Sequence, residues 1–373
     1  MTKSFESIIA QFLIRKRNLL ALLSTILFLI SAVGLTNLYF DSSYRAYFSE
    51  ENPELVAFES MEKIYTKEDN VIIIIKSRKE SIFHGETLRA IEELTKKTWS
   101  MPYSIRVDSI TNFQLVSNAG ETIEIKEAVE NAMEFTSAEL EILKARLLDQ
   151  PELKNKILSS DGTTTGIIAT VQIPLDKRTE ATTEIAKWSK SLIKDFKKEH
   201  HALFTIALSG TVIMDYTFTE VGARDSTFLV PTSVALMFFI LGILVRTFIG
   251  ATPILVITIM SIISAMGAGG FFNYPLTSVT VTAPIIILTV AIANSVHVLS
   301  SFLDNYAVGK EQALQASLEQ NLQPVFLASI TTAIGFLTMN FSEVPPFNHL
   351  GNLVSIGVIF SLIFTFTILP IAL

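Results

Sequence analysis

Four polar residues lie along one apolar run in the last third of the chain: Asn294, His297, Ser301 and Asp304. In a helix that turns by about 100° per residue, these four side chains fall within one narrow stripe. Amides and hydroxyls can donate and accept hydrogen bonds, and histidine can also exchange a proton near neutral pH. The stripe is therefore the first candidate site, and its chemistry would be hydrogen bonding and proton transfer.

The run that carries the stripe, 278–303, is long enough to cross a membrane, since a spanning helix needs about 20 apolar residues. Polar side chains are costly in a bilayer and usually face the interior of a helix bundle. We expect the stripe to face a partner span, with His297 as its titratable group. The alternative is that Asn294 and His297 only hold helices together.

A neighbouring apolar run, 324–341, places Ser329, Thr331 and Thr332 near the middle of a span. Small and hydroxyl-bearing residues allow helices to pack closely, which is one role for them. The other role is to line a relay or water path beside the stripe.

A third run contains Gly267, Gly269 and Gly270. No strand precedes these glycines, so they predict close helix contacts or a bend and not a phosphate-binding loop.

Apolar residues make up 49% of the chain, and the mean hydropathy is +0.45, which is high for a soluble domain. They concentrate in six runs: 18–39, 228–245, 251–272, 278–303, 324–341 and 350–373. The sequence therefore predicts an α-helical membrane bundle of six transmembrane helices. The first run could instead be a cleaved signal peptide with Arg15, Lys16 and Arg17 as its basic segment, but it is long for that role.

The charged residues predict the orientation of these helices. Lys3, Arg15, Lys16 and Arg17 precede the first run, Arg246 and Lys310 fall between later runs, and the connections 273–277 and 343–349 contain no Lys or Arg. By the positive-inside rule, residues 1–17 are cytoplasmic, 18–39 form helix 1, 40–226 lie outside and 227–373 form helices 2–6. Arg246 is expected to end the second span.

The outer region is acidic and shows no catalytic or metal-binding pattern. Residues 41–225 carry 31 acidic and 23 basic side chains, which argues against nucleic-acid binding. The chain has no cysteine, so neither a disulfide nor a thiolate metal site is possible. His84, His200 and His201 are scattered, so we assign none of them to a metal. We expect no cofactor and no enzymatic activity, since no nucleophile, metal set or acid pair is recognisable.

Strands and helices alternate in this outer region. Predicted strands cover 71–76, 104–110, 166–173 and 203–208, and predicted helices cover 84–99, 137–148, 179–198 and 215–227. Without the insert that contains the helix 137–148, the order is β-α-β followed by β-α-β. This order predicts an α+β ferredoxin-like (split βαβ) domain between helices 1 and 2.

The chain resembles one half of a transporter of the RND superfamily, in the branch of the MmpL-like and hopanoid or hydrophobe exporters, Patched-like proteins and SecD/SecF. The resemblance rests on the order of one span, a βαβ-rich outer domain and five spans, and covers essentially all 373 residues. Three local stretches are similar to family patterns: Asp41-Ser42-Ser43-Tyr44 with Phe48, Pro53, Phe58 and Met61-Glu62; Val107-Asp108-Ser109-Ile110-Thr111-Asn112; and Ser329-Ile330-Thr331-Thr332-Ala333-Ile334-Gly335-Phe336.

The resemblance implies proton-driven movement of lipid-like or amphiphilic molecules by a porter-type periplasmic domain in the bacterial inner membrane. In proton-driven relatives, the fourth span carries an Asp that takes up and releases the proton. Asn294 occupies the matching position here, and an amide cannot titrate. The second hypothesis is therefore a non-transporting or proton-uncoupled module: a sensor, a scaffold or an inactive half.

Relatives generally contain two such repeats, and this chain has one. The resemblance thus implies a partner: a homodimer or higher homo-oligomer, or a second RND half. The apolar ending favours a truncated piece of a longer protein over a natural half-size one. The fourth span is expected to meet its counterpart at the two-fold axis.

Overall fold

The computed structural model describes residues 5–41, 43–65, 69–119, 122–174, 177–245 and 248–373. The chain divides into two compact units, which we call the membrane unit (Met1–Leu55 with Phe218–Leu373) and the sheet unit (Val56–Thr217). Along the chain the elements are α1 (Phe5–Arg15), α2 (Arg17–Val33), α3 (Pro53–Ile64), β1 (Asp69–Ser77), α4 (Gly85–Thr98), β2 (Ser104–Asp108), β3 (Gln114–Ala119), β4 (Thr122–Glu127), α5 (Ser137–Leu148), β5 (Thr164–Val171), α6 (Arg178–His200), β6 (Phe204–Ser209), α7 (Thr211–Arg224), α8 (Val230–Leu244), α9 (Phe248–Phe271), α10 (Ala283–Asp304), α11 (Lys310–Leu337), α12 (Pro345–Thr367) and α13 (Leu369–Ala372).

The six predicted spans are confirmed within the part of the chain that the structure describes. The helices that are long and apolar enough to cross a membrane are Arg17–Asn37, Thr211–Ile243, Gly250–Phe271, Thr280–Asp304, Lys310–Phe341 and Pro345–Ala372. The second is longer than predicted because α7 continues through a π-helical turn, Asp225–Leu229, into α8. Arg246, predicted to end this span, lies outside the described residues.

Two boundaries near the end of the chain also differ from the sequence-based ones. The polar stretch before residue 324 is not a separate connector, since α11 begins at Lys310 and runs through Pro324. Proline is tolerated in such helices because neighbouring groups can satisfy the freed backbone carbonyl. Helix α12 begins at Pro345, where proline suits the first helical turn. His349, which the sequence placed in a connection, therefore lies inside this helix.

The sheet unit contains a four-stranded antiparallel sheet in the order β2-β5-β1-β6. Each β-α-β segment, β1-α4-β2 and β5-α6-β6, places its two strands on either side of a strand from the other segment. The alternating side chains of β1, including Val71, Ile73 and Ile75, are fully buried in the core. Helices α4 and α6 complete that core with Leu88 and Phe196, among others.

The insert between β2 and β5 holds a hairpin that the sequence analysis missed. β3 and β4 pair with each other as a separate two-stranded sheet. Its apolar side chains at Val116, Ile123 and Ile125 are exposed, so the hairpin lacks the buried face that makes a strand pattern convincing. Helix α5 in the same insert was predicted correctly, and Thr136 and Glu139 form a reciprocal capping box at its start.

A buried cluster of charged side chains connects three elements of the sheet unit. Arg178, at the start of α6, donates to both carboxylate oxygens of Asp69 at 2.9 and 3.0 Å and to Asp215 of α7 at 3.0 Å. Burial alone opposes the charge of Arg178, but these hydrogen bonds and charges raise its pKa above the ordinary value. The cluster joins β1, α6 and α7, and it is a structural tie between three elements.

Residues just after the first span belong to the membrane unit and not to the sheet unit. Phe40 forms a β-bridge with Leu276, and the hydroxyls of Tyr47 and Ser278 are hydrogen-bonded. These contacts hold the turn Tyr44–Tyr47 beside the connection that follows α9. The sheet unit is accordingly shorter than the predicted outer region 40–226.

Candidate functional site

Asn294 lies at the centre of the helix bundle and is 5% exposed. Its side-chain amide donates to the Oγ of Ser329 on α11 at 3.0 Å, and Ser361 on α12 lies at 3.5 Å. The amide thus joins three spans through neutral groups. We call Asn294, Ser329 and Ser361 the amide centre.

Further hydroxyls join the same helices. Ser295 and Thr365 are hydrogen-bonded at 3.0 Å between α10 and α12, and both are fully buried. Ser355 donates to the carbonyl of Ala333 at 2.9 Å, which ties α12 to α11. In a bilayer, such inter-helix hydrogen bonds replace the water that a polar group would otherwise bind. The bundle interior is therefore polar and uncharged around Asn294.

The structure does not bring the four predicted stripe residues together. Ser301 is half-buried and donates to Gln320 on α11 at 2.6 Å, whereas His297 and Asp304 are exposed on the bundle surface. Asn294 and His297 are about 60° apart around the helix, and the edge of the buried face falls between them. Within this chain His297 does not contact the amide centre, and its role in proton transfer stays a prediction.

The predicted residues of the fifth span also separate. Ser329 is buried in the amide centre, as described above. Thr331 is exposed and donates to the carbonyl of Leu327 in its own helix at 2.8 Å, and Thr332 is half-buried. Ser329 is thus the member of this group that lies beside Asn294.

One exposed face of the bundle consists of small and polar side chains, and we call it the α10–α11 face. From α10 it takes Thr289, Ala293, His297, Ser300 and Asp304, and from α11 it takes Gln320, Pro324, Ala328, Thr331, Gly335 and Thr338. Elsewhere the exposed surface of the bundle carries large apolar side chains, such as Leu22 and Ile30 of α2 and Phe239 of α8. Large apolar side chains suit contact with lipid tails, whereas small residues suit contact with another helix.

A second polar cluster, which the sequence analysis missed, lies at the end of the bundle where α12 begins. Asn340 and Asn352 exchange two amide hydrogen bonds at 2.7 and 3.1 Å, and Asn352 also donates to the Tyr274 hydroxyl at 3.2 Å. The His349 ring stacks on Tyr274 with ring centroids 4.5 Å apart. We call His349, Tyr274, Asn340 and Asn352 the histidine cluster. A helix start at Pro345-Pro346 is the sequence signal that could have placed His349 inside a span.

An apolar groove lies between α8 and α9. It has a volume of about 480 Å³, and its lining includes Val234, Phe238, Ile259 and Ile263. This volume falls within the roughly 300–1,000 Å³ of typical small-molecule sites. The lining offers no side chain that could bind a polar group, so the groove suits a hydrocarbon chain.

Taken together, these contacts allow hydrogen bonding throughout the bundle and proton exchange at histidine. Among the described residues of the bundle interior, no carboxylate contacts Asn294. The amide centre can therefore hold helices or water in place, but it cannot itself carry a proton.

Comparison with known proteins gives one finding about the whole chain. The sequence model described as the MMPL family matches residues 47–373, which include the whole sheet unit and the last five spans. A search of curated proteins returned no significant match.

Proposed function

Since the chain belongs to the MMPL family of RND-type membrane transporters, we propose that it exports or moves lipid-like, hydrophobic molecules with energy from the proton gradient. The observation that carries the substrate class is the apolar groove between α8 and α9. A site without polar lining favours a hydrocarbon chain over a water-soluble solute. The chain acts as a carrier in this proposal and not as an enzyme.

The sheet unit serves in this proposal as a ferredoxin-like porter domain on the periplasmic side. Its support is the strand order β2-β5-β1-β6, in which two β-α-β segments interleave in one antiparallel sheet. The basic residues before the first span support an N-terminus in the cytoplasm. The proposed location in the bacterial inner membrane is what the family resemblance implies.

A second repeat completes the transporter in this proposal, either as a copy of this chain in a homodimer or higher homo-oligomer, or as a second RND half. The α10–α11 face supports it, because small and polar side chains on a lipid-exposed surface are typical of helix–helix contacts. His297 would then lie at the junction of the two repeats.

One observation favours the alternative of a proton-uncoupled or non-transporting module. The position at which proton-driven relatives carry an acid is Asn294, and its partners are hydroxyls. A centre of this kind is stable without a charge and needs no proton to complete it. The alternative would make this chain a sensor, a scaffold or the inactive half of a pair.

Gradient-driven transport in vesicles tests the proposal. The purified full chain would be reconstituted with a fluorescent phospholipid, and lipid movement would be followed after a pH gradient is imposed. We expect movement that stops when a protonophore collapses the gradient. Protein-free vesicles and Asn294→Asp serve as the two comparisons.

Each outcome separates the hypotheses. Gradient-dependent movement by the unmodified chain supports the transporter. Movement by Asn294→Asp alone favours the uncoupled module. If neither moves lipid, and a tandem fusion of two copies is also silent, the transport proposal is contradicted.

A further inference from the structure

We propose that His349 is the proton-binding group of this bundle and that the histidine cluster around it takes the place of the missing acid. The inference rests on the proposed proton-driven function. His349 lies in α12, whereas the residues that the sequence singled out for proton transfer lie in the fourth span.

The first support is the state of the His349 ring. The residue is half-buried, and its Nδ1 atom is buried without a hydrogen-bond partner. Buried polar atoms in folded proteins nearly always have a partner, because leaving one unpaired is costly. In the tautomer whose proton is on Nε2, the Nδ1 atom has its lone pair free for a proton.

The second support is the surface on which the ring lies. Tyr274 stacks on His349 with an interplanar angle of 22°. The face of an aromatic ring attracts a cation, so Tyr274 stabilises the imidazolium form once it is made. The same tyrosine accepts a hydrogen bond from Asn352, one helical turn further along α12. Tyr274 therefore connects the histidine with the amide pair.

The third support is the link from this cluster to helix packing. The amide pair of Asn340 and Asn352 ties the turn Thr338–Phe341, at the end of α11, to α12. A proton on Nδ1 creates an N–H that needs an acceptor, and each amide oxygen of the pair accepts one hydrogen bond and keeps a second lone pair. Proton uptake at His349 would thus add a charge and a donor beside the contact that holds α11 against α12. A rearrangement of that contact would couple the proton to a movement of spans.

Other ionisable groups near this end are few within the described residues. The turn Tyr44–Tyr47, which packs against α12, brings Tyr44, Arg45 and Tyr47, and Glu343 lies just before the helix. Tyr39 and Asp41 contact the connection that carries Tyr274. The remaining charged or titratable side chains of the helices packed against α12 lie away from its first turn, towards or at the opposite membrane side: Arg17, His297, Asp304, Lys310, Glu311 and Glu319. Of these groups, His349 and His297 are the histidines.

His297 is the competing candidate, and it provides the matched control. It is exposed on the α10–α11 face and has no contact with the amide centre. His349 and His297 are both single histidines within spans, so His349→Gln and His297→Gln make equivalent chemical changes. Only the first removes the proposed proton site.

The first arm of the test measures proton binding directly and needs no transport. The full chain, labelled at histidine and held in lipid nanodiscs, would be titrated by NMR between about pH 5 and pH 8, the range in which histidine changes charge. Loss of single resonances in the two glutamine variants assigns the signals. We expect the His349 signal to titrate, and Tyr274→Leu to shift its midpoint while Tyr274→Phe, which keeps a ring, shifts it less. A His349 signal that stays neutral across the range overturns the proposal.

The second arm measures lipid movement driven by a pH gradient. We expect His349→Gln to lose the dependence on the gradient and His297→Gln to keep it; the reverse pattern overturns the assignment. If His349→Gln does not fold, Tyr274→Leu takes its place. If the unmodified chain moves no lipid, the transport proposal fails, whereas the NMR arm still decides whether His349 binds a proton.

Discussion

Two sets of small residues on the helices of this protein have opposite surroundings. On α9, Gly267 and Gly270 lie directly against α2, and a Cβ atom at either would overlap the backbone oxygen of Ser31 or Gly34. On α11, Gly335 has open space, with nothing within 4 Å of the place where a Cβ would lie. The glycines on α9 pack against another helix of the same chain, whereas Gly335 on α11 does not.

The difference supports the proposed role of the uncovered set as a contact with a second repeat. In a bilayer no hydrophobic force drives helices together, so close packing of small residues supplies much of their attraction. The α2–α9 contact shows that this chain uses that device. The α10–α11 face repeats the composition without a partner in the same chain. A second repeat is the partner that we propose for this face.

The largest expected effect on stability follows from placing a side chain at Gly267, where α2 and α9 are in contact. Gly267→Leu forces α2 away from α9, because the overlap is with rigid backbone and not with a movable side chain. Overpacking of this kind costs about 3 kcal/mol or more. Unfolding of the full chain in detergent should show a large loss of stability. A midpoint equal to that of the unmodified chain would mean that the α2–α9 contact is not as close as described.

A smaller effect is expected inside the bundle. Asn294→Leu keeps a similar volume but removes the amide that joins α10 to Ser329 and Ser361. Both serines can turn to carbonyls of their own helices, so the loss should be about 1 kcal/mol, in the usual range for a hydrogen bond between spans. The same unfolding measurement checks this value. A loss as large as that of Gly267→Leu would show that the amide centre carries more of the fold than its neutral contacts suggest.

The smallest effect on folding is expected at the uncovered glycine. A Cβ added at Gly335 meets nothing within 4 Å, so the stability of the Gly335→Leu monomer should stay within about 0.5 kcal/mol of the unmodified chain. Association between copies should fall, because the added side chain separates the paired faces. Energy transfer between labelled chains in vesicles measures association. Unchanged association together with unchanged stability would place the second repeat on another face.

The elements that the sequence predicted well have strong periodic patterns. The six apolar runs and the β-branched strand β1 were recognisable because membrane spans and buried strands are nearly continuous in hydrophobicity. The hairpin β3–β4 was not recognisable from the sequence, since its apolar side chains at Ile123 and Ile125 face solvent and form no core. The predicted span began at Pro324 because the stretch 304–323 before it is polar, whereas α11 begins at Lys310 and continues through Pro324.

The candidate site was predictable in part. The sequence singled out Asn294 by helical spacing and Ser329 as a hydroxyl at the middle of a span, and the structure places the two in hydrogen-bond contact. Helical spacing could not decide that His297 faces outward, because a shift of about 60° around a helix separates buried from exposed positions. The histidine cluster depends on contacts between residues more than 70 positions apart, such as Tyr274 and Asn352, and local spacing does not carry that information.

Cysteine cross-linking tests most directly the claim that the α10–α11 face meets a second copy of this chain. The chain has no cysteine, so single substitutions report on one position each. Thr331→Cys lies on the α10–α11 face, and Ile240→Cys, on the large apolar surface of α8, is the matched control. In vesicles the account predicts a rapid disulfide-linked dimer from Thr331→Cys and a slow one or none from Ile240→Cys. Equal rates, a faster reaction at Ile240→Cys, or no dimer from either would contradict it.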